Sequence, residues 1–261
     1  AKVCLWGYSG GAFAVGWAAQ LQPSYAAELT QYLVGASMGG LPSDFKACGQ
    51  RTNKDVAAGL LVGIMQGLAN AYPELQDWLN LHANKTGKAA LQKALTKSFG
   101  TVMSSCAFQD VLGTYFDVPD LLADPLIARI MQENKLGMAE EVPQIACQVY
   151  QSLHDEVVPC QTTDDLVVAW SAKGACIDYT KDTLSAHVVL CFTGCAMAIR
   201  WMQDRFDGKP TRAQPGQPHV ETVLTSLDTS DASLTLGRQR QTDLQNLLEN
   251  HYKRPGRNWW A

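Results

Sequence analysis

The stretch Val3-Cys4-Leu5-Trp6-Gly7-Tyr8-Ser9-Gly10-Gly11-Ala12 decides how the rest of the chain is read. Residues 2–6 open it as a short, apolar, buried strand. A run rich in Ala, Trp and Gln follows to Leu21 with helical spacing, and Pro23 closes it. Between strand and helix lies Gly7-x-Ser9-x-Gly11. In that setting a serine sits on a tight turn, its Oγ exposed at the carboxyl end of the strand and the helix N-terminus aimed at a developing oxyanion. The glycines keep the neighbouring positions small, so that the helix can fold back on the strand. Ser9 is the candidate nucleophile.

A serine hydroxyl needs a base to take its proton, and on a strand–turn–helix the partners are expected later in the chain, acid first and histidine second. Residues 145–153 read as a strand, and His154-Asp155-Glu156-Val157-Val158-Pro159 follows it. Residues 175–179 read as another, and His187 comes after the loop Thr183-Leu184-Ser185-Ala186. Asp155 would hold His187 in the correct tautomer, and His187 would take the Ser9 proton and later return it to the leaving group. Asp164 and Asp165 open a helix at 162–173 and read as capping charges. Asp178 and Asp182 flank a strand and read as solvated. His154 reads as structural or pocket-lining. His82, His219 and His251 fall in a helical block, a Pro-rich loop and the C-terminal region.

The Gly10 N–H supplies one oxyanion donor. A second normally comes from a loop after an earlier strand, and no earlier strand is present in this sequence. Residues 2–6 would then be an apolar, unpaired sheet edge. The expectation is a second polypeptide, a fragment of the same precursor, bringing the upstream strands and the second donor.

Residues 31–36 read as a second strand, ending at Met38-Gly39-Gly40-Leu41-Pro42. From 44 to 141 the pattern is helical, with segments at 55–71, 74–82, 88–98, 104–116 and 120–136. Strand and helix then alternate again, including a helix around 188–206. This predicts an α/β fold with a mostly parallel sheet, built from 1–43 and 142–206, with a helical cap at 44–141 inserted after the second strand. Residues 207–261 form a C-terminal extension or flap: a Gly/Pro-rich loop, a helix at 240–251, and Trp259-Trp260, read as docking on the body, with a membrane-surface anchor as the alternative. Most Leu, Met and Ala of the helical block are its own core. A block beside an elbow serine is also where an acyl chain would be buried, so Phe99, Met103, Phe108 and Tyr115, together with Tyr8, are substrate-binding candidates.

The chain has 261 residues, 46% hydrophobic and 18% charged, which excludes disorder and suits one large domain or a core with an insertion. A net charge of −4 and a pI near 5.7 argue against nucleic-acid binding. The longest apolar run, Val56 to Met65, is far shorter than the roughly 20 residues a membrane span needs. Eight cysteines are many for a cytosolic enzyme, yet none forms Cys-x-x-Cys, and no histidine completes a zinc set with Cys191 and Cys195. No metal or organic cofactor is implied. With the sequon Asn84-Lys85-Thr86, a glycosylation candidate, they favour a secretory-pathway protein with some disulfides. The chain opens directly into a strand rather than a signal peptide, which reads either as a processed chain or as one from which something upstream has been removed.

Several spaced motifs carry a resemblance. Gly-Tyr-Ser-Gly-Gly-Ala at 7–12, Trp17-Ala18, Ser24-Tyr25-Ala26-Ala27-Glu28-Leu29, Val34-Gly35-Ala36-Ser37-Met38-Gly39-Gly40, Asp155-Glu156-Val157-Val158-Pro159 and Ala172-Lys173-Gly174-Ala175 make the chain similar to the fungal secretory lipase family of the Candida antarctica lipase A type. The likeness runs from residue 2 to about 207, with a weaker match in the tail. It implies an α/β-hydrolase with a helical cap, whose N-terminal sheet strands lie upstream of this chain. It implies Ser9, Asp155 and His187 as the triad, and cleavage of carboxylic esters of apolar acyl groups through an acyl-enzyme. It also implies that a cysteine at the position of Cys106 bridges to the upstream segment. An acyltransferase in specialised metabolism would use the same triad, resolving the acyl-enzyme with an alcohol or amine. A non-hydrolytic catalyst or binding protein on this fold is a third class, against which the three ordered residues argue.

Overall fold

In a computed structural model, which describes residues 1–252, the chain forms two compact units. One comprises residues 1–42, 137–155 and 163–252, and the other 43–136 and 156–162. Trp259 and Trp260 lie outside the described residues.

The first unit is a five-stranded sheet in the order β1-β2-β3-β4-β5, parallel throughout. The strands are β1 (Val3–Tyr8), β2 (Leu33–Gly39), β3 (Cys147–Ser152), β4 (Ile177–Asp182) and β5 (His219–Val223). Helix α1 (Gly10–Tyr25) follows β1, and α2 (Cys160–Ala172) lies between β3 and β4. After β4 come α3 (His187–Thr193) and α4 (Cys195–Phe206), then α5 (Ser230–Leu236) and α6 (Arg238–Tyr252) after β5. The helix expected around 188–206 is thus two, divided at Gly194, which lies against the Tyr150 ring. Every residue of β3 is buried, as a central parallel strand requires. Buried Gln20 of α1 accepts from both Trp170 Nε1 and Gly137 N at 3.0 Å, so one side chain joins α1 to α2 and to the chain returning toward β3.

Two expectations change here. The stretch after residue 206, read as a surface loop and extension, supplies β5, paired in parallel with β4 from Asp178↔His219 to Asp182↔Val223. Its alternating half-buried and exposed residues are those of an edge strand, without the continuous burial of β3. Asp178 and Asp182, read as solvated, are buried. Asp178 accepts from Trp201 Nε1 and Ala213 N, both at 2.8 Å.

At the other edge, β1 pairs with β2 alone among the described residues. Beside it lies an apolar groove of about 650 Å³, whose walls include Val3, Leu5, Trp17, Leu21, Tyr25 and Leu29. A row of unpaired backbone groups next to an apolar groove invites pairing with another strand.

The second unit is helical, with helices at Phe45–Thr52, Gly59–Ala69, Pro73–His82, Lys85–Thr96, Phe99–Cys106 and Pro125–Glu133. Leu61, Val62, Met65, Leu75, Trp78, Leu79, Val111, Phe116, Ile127 and Ile130 are among the residues of its core. Its boundaries follow the caps. Asn84 accepts from Thr86 N and Gly87 N and so starts a helix before the expected 88. Ser98 starts the next, which stops at Cys106, and Phe108 then takes a left-handed φ of 62°. Among the described residues no helix is long and apolar enough to cross a membrane.

Candidate active site

Parallel strands bring their carboxyl ends to one edge of a sheet, and the candidate residues come from the ends of β1, β3 and β4. Ser9 follows β1 directly and has φ 53° and ψ −121°. A non-glycine residue held there costs about 1–3 kcal/mol. It is pinned from both sides, its N–H donating to Gly39 O at 2.8 Å and its carbonyl accepting from Phe13 N at 3.0 Å. The turn is possible because residue 7 has no side chain: a Cβ there would lie 2.2 Å from Gly11 O and 2.7 Å from Ala12 N. A Cβ on Gly11 would meet nothing within 4 Å, so that glycine of the pattern is not demanded by packing within this chain. Ser9 makes no side-chain cap on α1, and Gly10 is the first residue of that helix.

His187 opens α3. Its Nε2 lies 2.9 Å from Ser9 Oγ, and its Nδ1 lies 2.7 Å from Asp155 Oδ2. His187 and Asp155 are both buried, and Asp155 Oδ2 also accepts from Gln151 Nε2 at 2.8 Å. Ser9, His187 and Asp155 therefore form one continuous line of hydrogen-bond contacts. In such a line an imidazole can take a proton at Nε2 while a carboxylate balances the charge at Nδ1.

The loops that carry these groups are tied down by buried polar residues to which the sequence reading gave no such role. Asp182, fully buried at the end of β4, accepts from the backbone N–H of Leu184 (3.0 Å), Ser185 (2.7 Å) and Ser226 (2.6 Å). The Ser185 and Ser226 hydroxyls add bonds of 3.0 and 2.9 Å. The segment from β4 to His187 is thereby fixed. Ser152 Oγ donates to Ser185 O and accepts from His154 N at 3.0 Å, joining the acid loop to the histidine loop. Gln151 and Ser152 did leave a signal in the sequence, since they are polar residues at the carboxyl end of a stretch, 145–153, read as a strand.

The remaining candidates lie as follows. Tyr8 donates through its hydroxyl to the His187 main-chain oxygen, and its ring centroid is 5.3 Å from the imidazole. In the helical unit, Tyr115 is buried in the main core, where burial and its bond to Cys106 push the phenol up to about 12. Met103 packs on the smaller cluster of Cys48, Ala57, Val157 and Val158. Phe99 and Phe108 are largely exposed, Phe99 on an apolar hollow of about 380 Å³ within that unit. The four residues thus do not converge on one surface of the helical unit.

Cys106 is a buried thiol, with Sγ 3.7 Å from Ser105 Oγ, so the expected bridge to another chain would first have to open this packing. Cys147 is likewise buried, and desolvation pushes its thiol up to about 12. The thiol of Cys195 donates to Cys191 O at 2.8 Å, one helical turn back. At Asn84, the Nδ2 to which a glycan would attach donates to Thr114 O at 2.9 Å, while its Oδ1 serves the helix cap. Asp164, read as a capping charge, accepts from Tyr179 OH at 2.7 Å and Lys181 Nζ at 2.9 Å. His154 is exposed, and His82 stacks on Trp78 at 4.6 Å.

The sequence model of the secretory lipase family matches residues 1–214. The chain is 34% identical over 235 residues to Lipase 5 of Candida albicans, covering 85% of this chain and 48% of that protein. To Lipase A of Arthroderma benhamiae it is 35% identical over 211 residues, covering 80% and 44%. The X-ray structure of Candida antarctica lipase A in its closed state superposes with a TM-score of 0.80 at 28% identity, over 95% of this chain and 58% of that one. The chain spans about half the length of the relatives it matches.

Proposed function

Since the chain belongs to the secretory lipase family, we propose that it carries the nucleophile, base and acid of a secreted serine hydrolase acting on carboxylic esters of apolar acyl groups. One observation carries this reading: the line Ser9 Oγ to His187 Nε2 at 2.9 Å and His187 Nδ1 to Asp155 Oδ2 at 2.7 Å, begun by a serine on a strained turn.

Ser9 Oγ attacks the ester carbonyl as His187 Nε2 takes its proton. Asp155 keeps Nδ1 protonated and balances the imidazolium, while Gln151 holds the carboxylate in place. The tetrahedral oxyanion is met by the Gly10 N–H at the start of α1. Return of the proton to the leaving alcohol gives the acyl-enzyme on Ser9. Water, deprotonated by His187, then attacks that ester, and Ser9 regains its proton. An alcohol or amine in place of water makes the same site an acyltransferase.

A second oxyanion donor is needed, and it comes from an upstream polypeptide, on the same chain or a second one, whose strand lies against β1. The unpaired edge of β1, the 650 Å³ apolar groove beside it and the half-length match to relatives support this part of the reading.

The test is the intact mass of the native protein before and after treatment with a fluorophosphonate, both non-reduced and reduced. One adduct on Ser9, absent in Ser9→Ala, is expected, together with hydrolysis of nitrophenyl esters in a panel of rising acyl length. Product partitioning with an added alcohol separates transfer from hydrolysis. A native protein that neither takes the label nor cleaves any ester overturns the proposal. Reduction that releases a second polypeptide identifies a disulfide-linked partner.

A further inference from the structure

We infer that Tyr8 is a positioning residue for His187, setting the distance between nucleophile and base, rather than a residue that contacts substrate. The inference rests on the triad proposed above and deepens it.

Ser9 and His187 belong to different elements, one at the end of β1 and the other at the start of α3. Proton transfer in the attack needs their separation held to a fraction of an ångström. The Ser9–His187 contact alone is a poor strut, because it is the bond that breaks and reforms in each turnover. Tyr8 provides a second connection between the same two places. It is the residue immediately before Ser9, and its hydroxyl donates to the main-chain oxygen of His187 itself. That proton is committed to the histidine backbone and is not available to a substrate. The ring adds a second constraint, lying 5.3 Å from the imidazole at an interplanar angle of 51°.

Tyr8 is in turn supported from behind. Its ring is 6.0 Å from that of fully buried Tyr150, whose hydroxyl accepts from Trp6 Nε1 at 3.2 Å. Burial pushes the Tyr150 phenol above its ordinary value, so that it remains a neutral packing group. On the remaining side stands Gly40, with φ +54° and its N–H bonded to Tyr150 O at 3.0 Å. A Cβ at residue 40 would come within 2.9 Å of both His187 Cε1 and the Tyr8 hydroxyl. The Tyr8 ring and the Gly40 backbone thus flank the imidazole, Tyr150 backs the Tyr8 ring, and the Tyr8 hydroxyl ties this side of the site to the base.

The test is Tyr8→Phe in the native protein, which removes the hydroxyl and keeps the ring. The expected result is a fall in kcat of about tenfold, with KM changed by less than about twofold. The rate of fluorophosphonate labelling at Ser9 should fall by the same factor, and the thermal midpoint should shift little. The far-downfield proton resonance of the His187–Asp155 hydrogen bond should move or broaden. A rise in KM at constant kcat would make Tyr8 a substrate contact and overturn the inference, as would unchanged kinetics with an unchanged resonance. If the wild-type protein shows neither labelling nor turnover, the hydrolase reading fails, and the resonance still decides whether Tyr8 positions His187.

Discussion

Strands β1 and β3 stand two places apart in one sheet, and each delivers one member of the proposed triad, yet they are built to different standards. All six residues of β3 are buried, and β3 has a strand on each side. In β1 no residue is fully buried, Val3 is 42% and Trp6 43% exposed, and one side is an open edge. The acid and base therefore stand in a region this chain encloses by itself. The nucleophile hangs from a strand and helix whose outer faces border an apolar groove. The hydrogen-bonded line of the proposed triad lies wholly within these residues, whereas the proposed oxyanion side has one candidate donor in Gly10. Under the proposed function the fold would divide the chemistry along the sheet, proton handling toward the centre and charge stabilisation at the edge.

The strongest challenge to that contrast is Asp182→Ala. The carboxylate serves five donors with no solvent to replace it, and hydrogen bonds to a charged group contribute about 1.5–3 kcal/mol each before partial compensation. The variant should lose on the order of 3–5 kcal/mol in urea denaturation. Asp182→Asn should lose a large part of that, because its NH2 faces donors. Losses below about 1 kcal/mol in both would mean that the histidine loop is not held as described and that the centre is no better enclosed than the edge.

A smaller effect compares the two strands directly by making one substitution twice. Val149→Ala, in β3 at 0% exposure, should cost about 2–3 kcal/mol through lost burial and a residual cavity. Val3→Ala, at 42% exposure, should cost less than about 1 kcal/mol in this chain alone. Measured in the native protein with an upstream polypeptide on β1, the Val3 cost should rise toward that of Val149. Equal costs in the isolated chain would remove the distinction between centre and edge. A Val3 cost that stays small in the native protein would leave the groove without the proposed strand.

The same contrast explains what the amino-acid sequence discloses. The order Ser9, Asp155, His187 is readable because each residue follows a strand, and parallel topology alone brings strand ends together. The strained turn is readable because Gly7 has a local reason, the backbone of Gly11 and Ala12 four and five positions on. Asp182 is not readable in this way. Its burial depends on Ser226, 44 residues later, in a segment whose composition suggests a loop. β5 is hidden for a related reason, since an edge strand needs apolar residues on one face only and the inward face of His219–Val223 offers just one, Val223, while Val220 is exposed on the other. In the helical unit, Tyr115 and Phe108 are aromatic residues seven apart. Whether one is core and the other exposed is set by the helix ending at Cys106 and the left-handed turn at Phe108, which aromatic spacing does not reveal.

The smallest effect tests whether self-enclosure also marks the helical unit, where polar groups sit nearer the surface. Asp44 caps the helix Phe45–Thr52 by accepting from Ala47 N at 3.1 Å, and its other oxygen lies 2.8 Å from Lys135 Nζ. Burial pushes this carboxyl up, but the bonds from Lys135 and from the Ala47 N–H outweigh it and hold the group below its ordinary value. A carboxyl depressed on folding adds stability above its unfolded value of about 3.9, and that contribution disappears as pH falls through the lower folded value. Lys135→Met should therefore destabilise the protein at neutral pH by less than about 1 kcal/mol, since the lysine is 40% exposed and its charge partly screened. The difference from wild type should shrink in high salt and vanish once the pH has fallen below the lowered folded value, where the carboxyl is protonated in both proteins. Urea denaturation at the two pH values checks this. A difference that persists undiminished in acid would show that the Lys135 methylenes stabilise by packing and that the ion pair contributes nothing, which would make this surface cap more like the enclosed centre of the sheet than its edge.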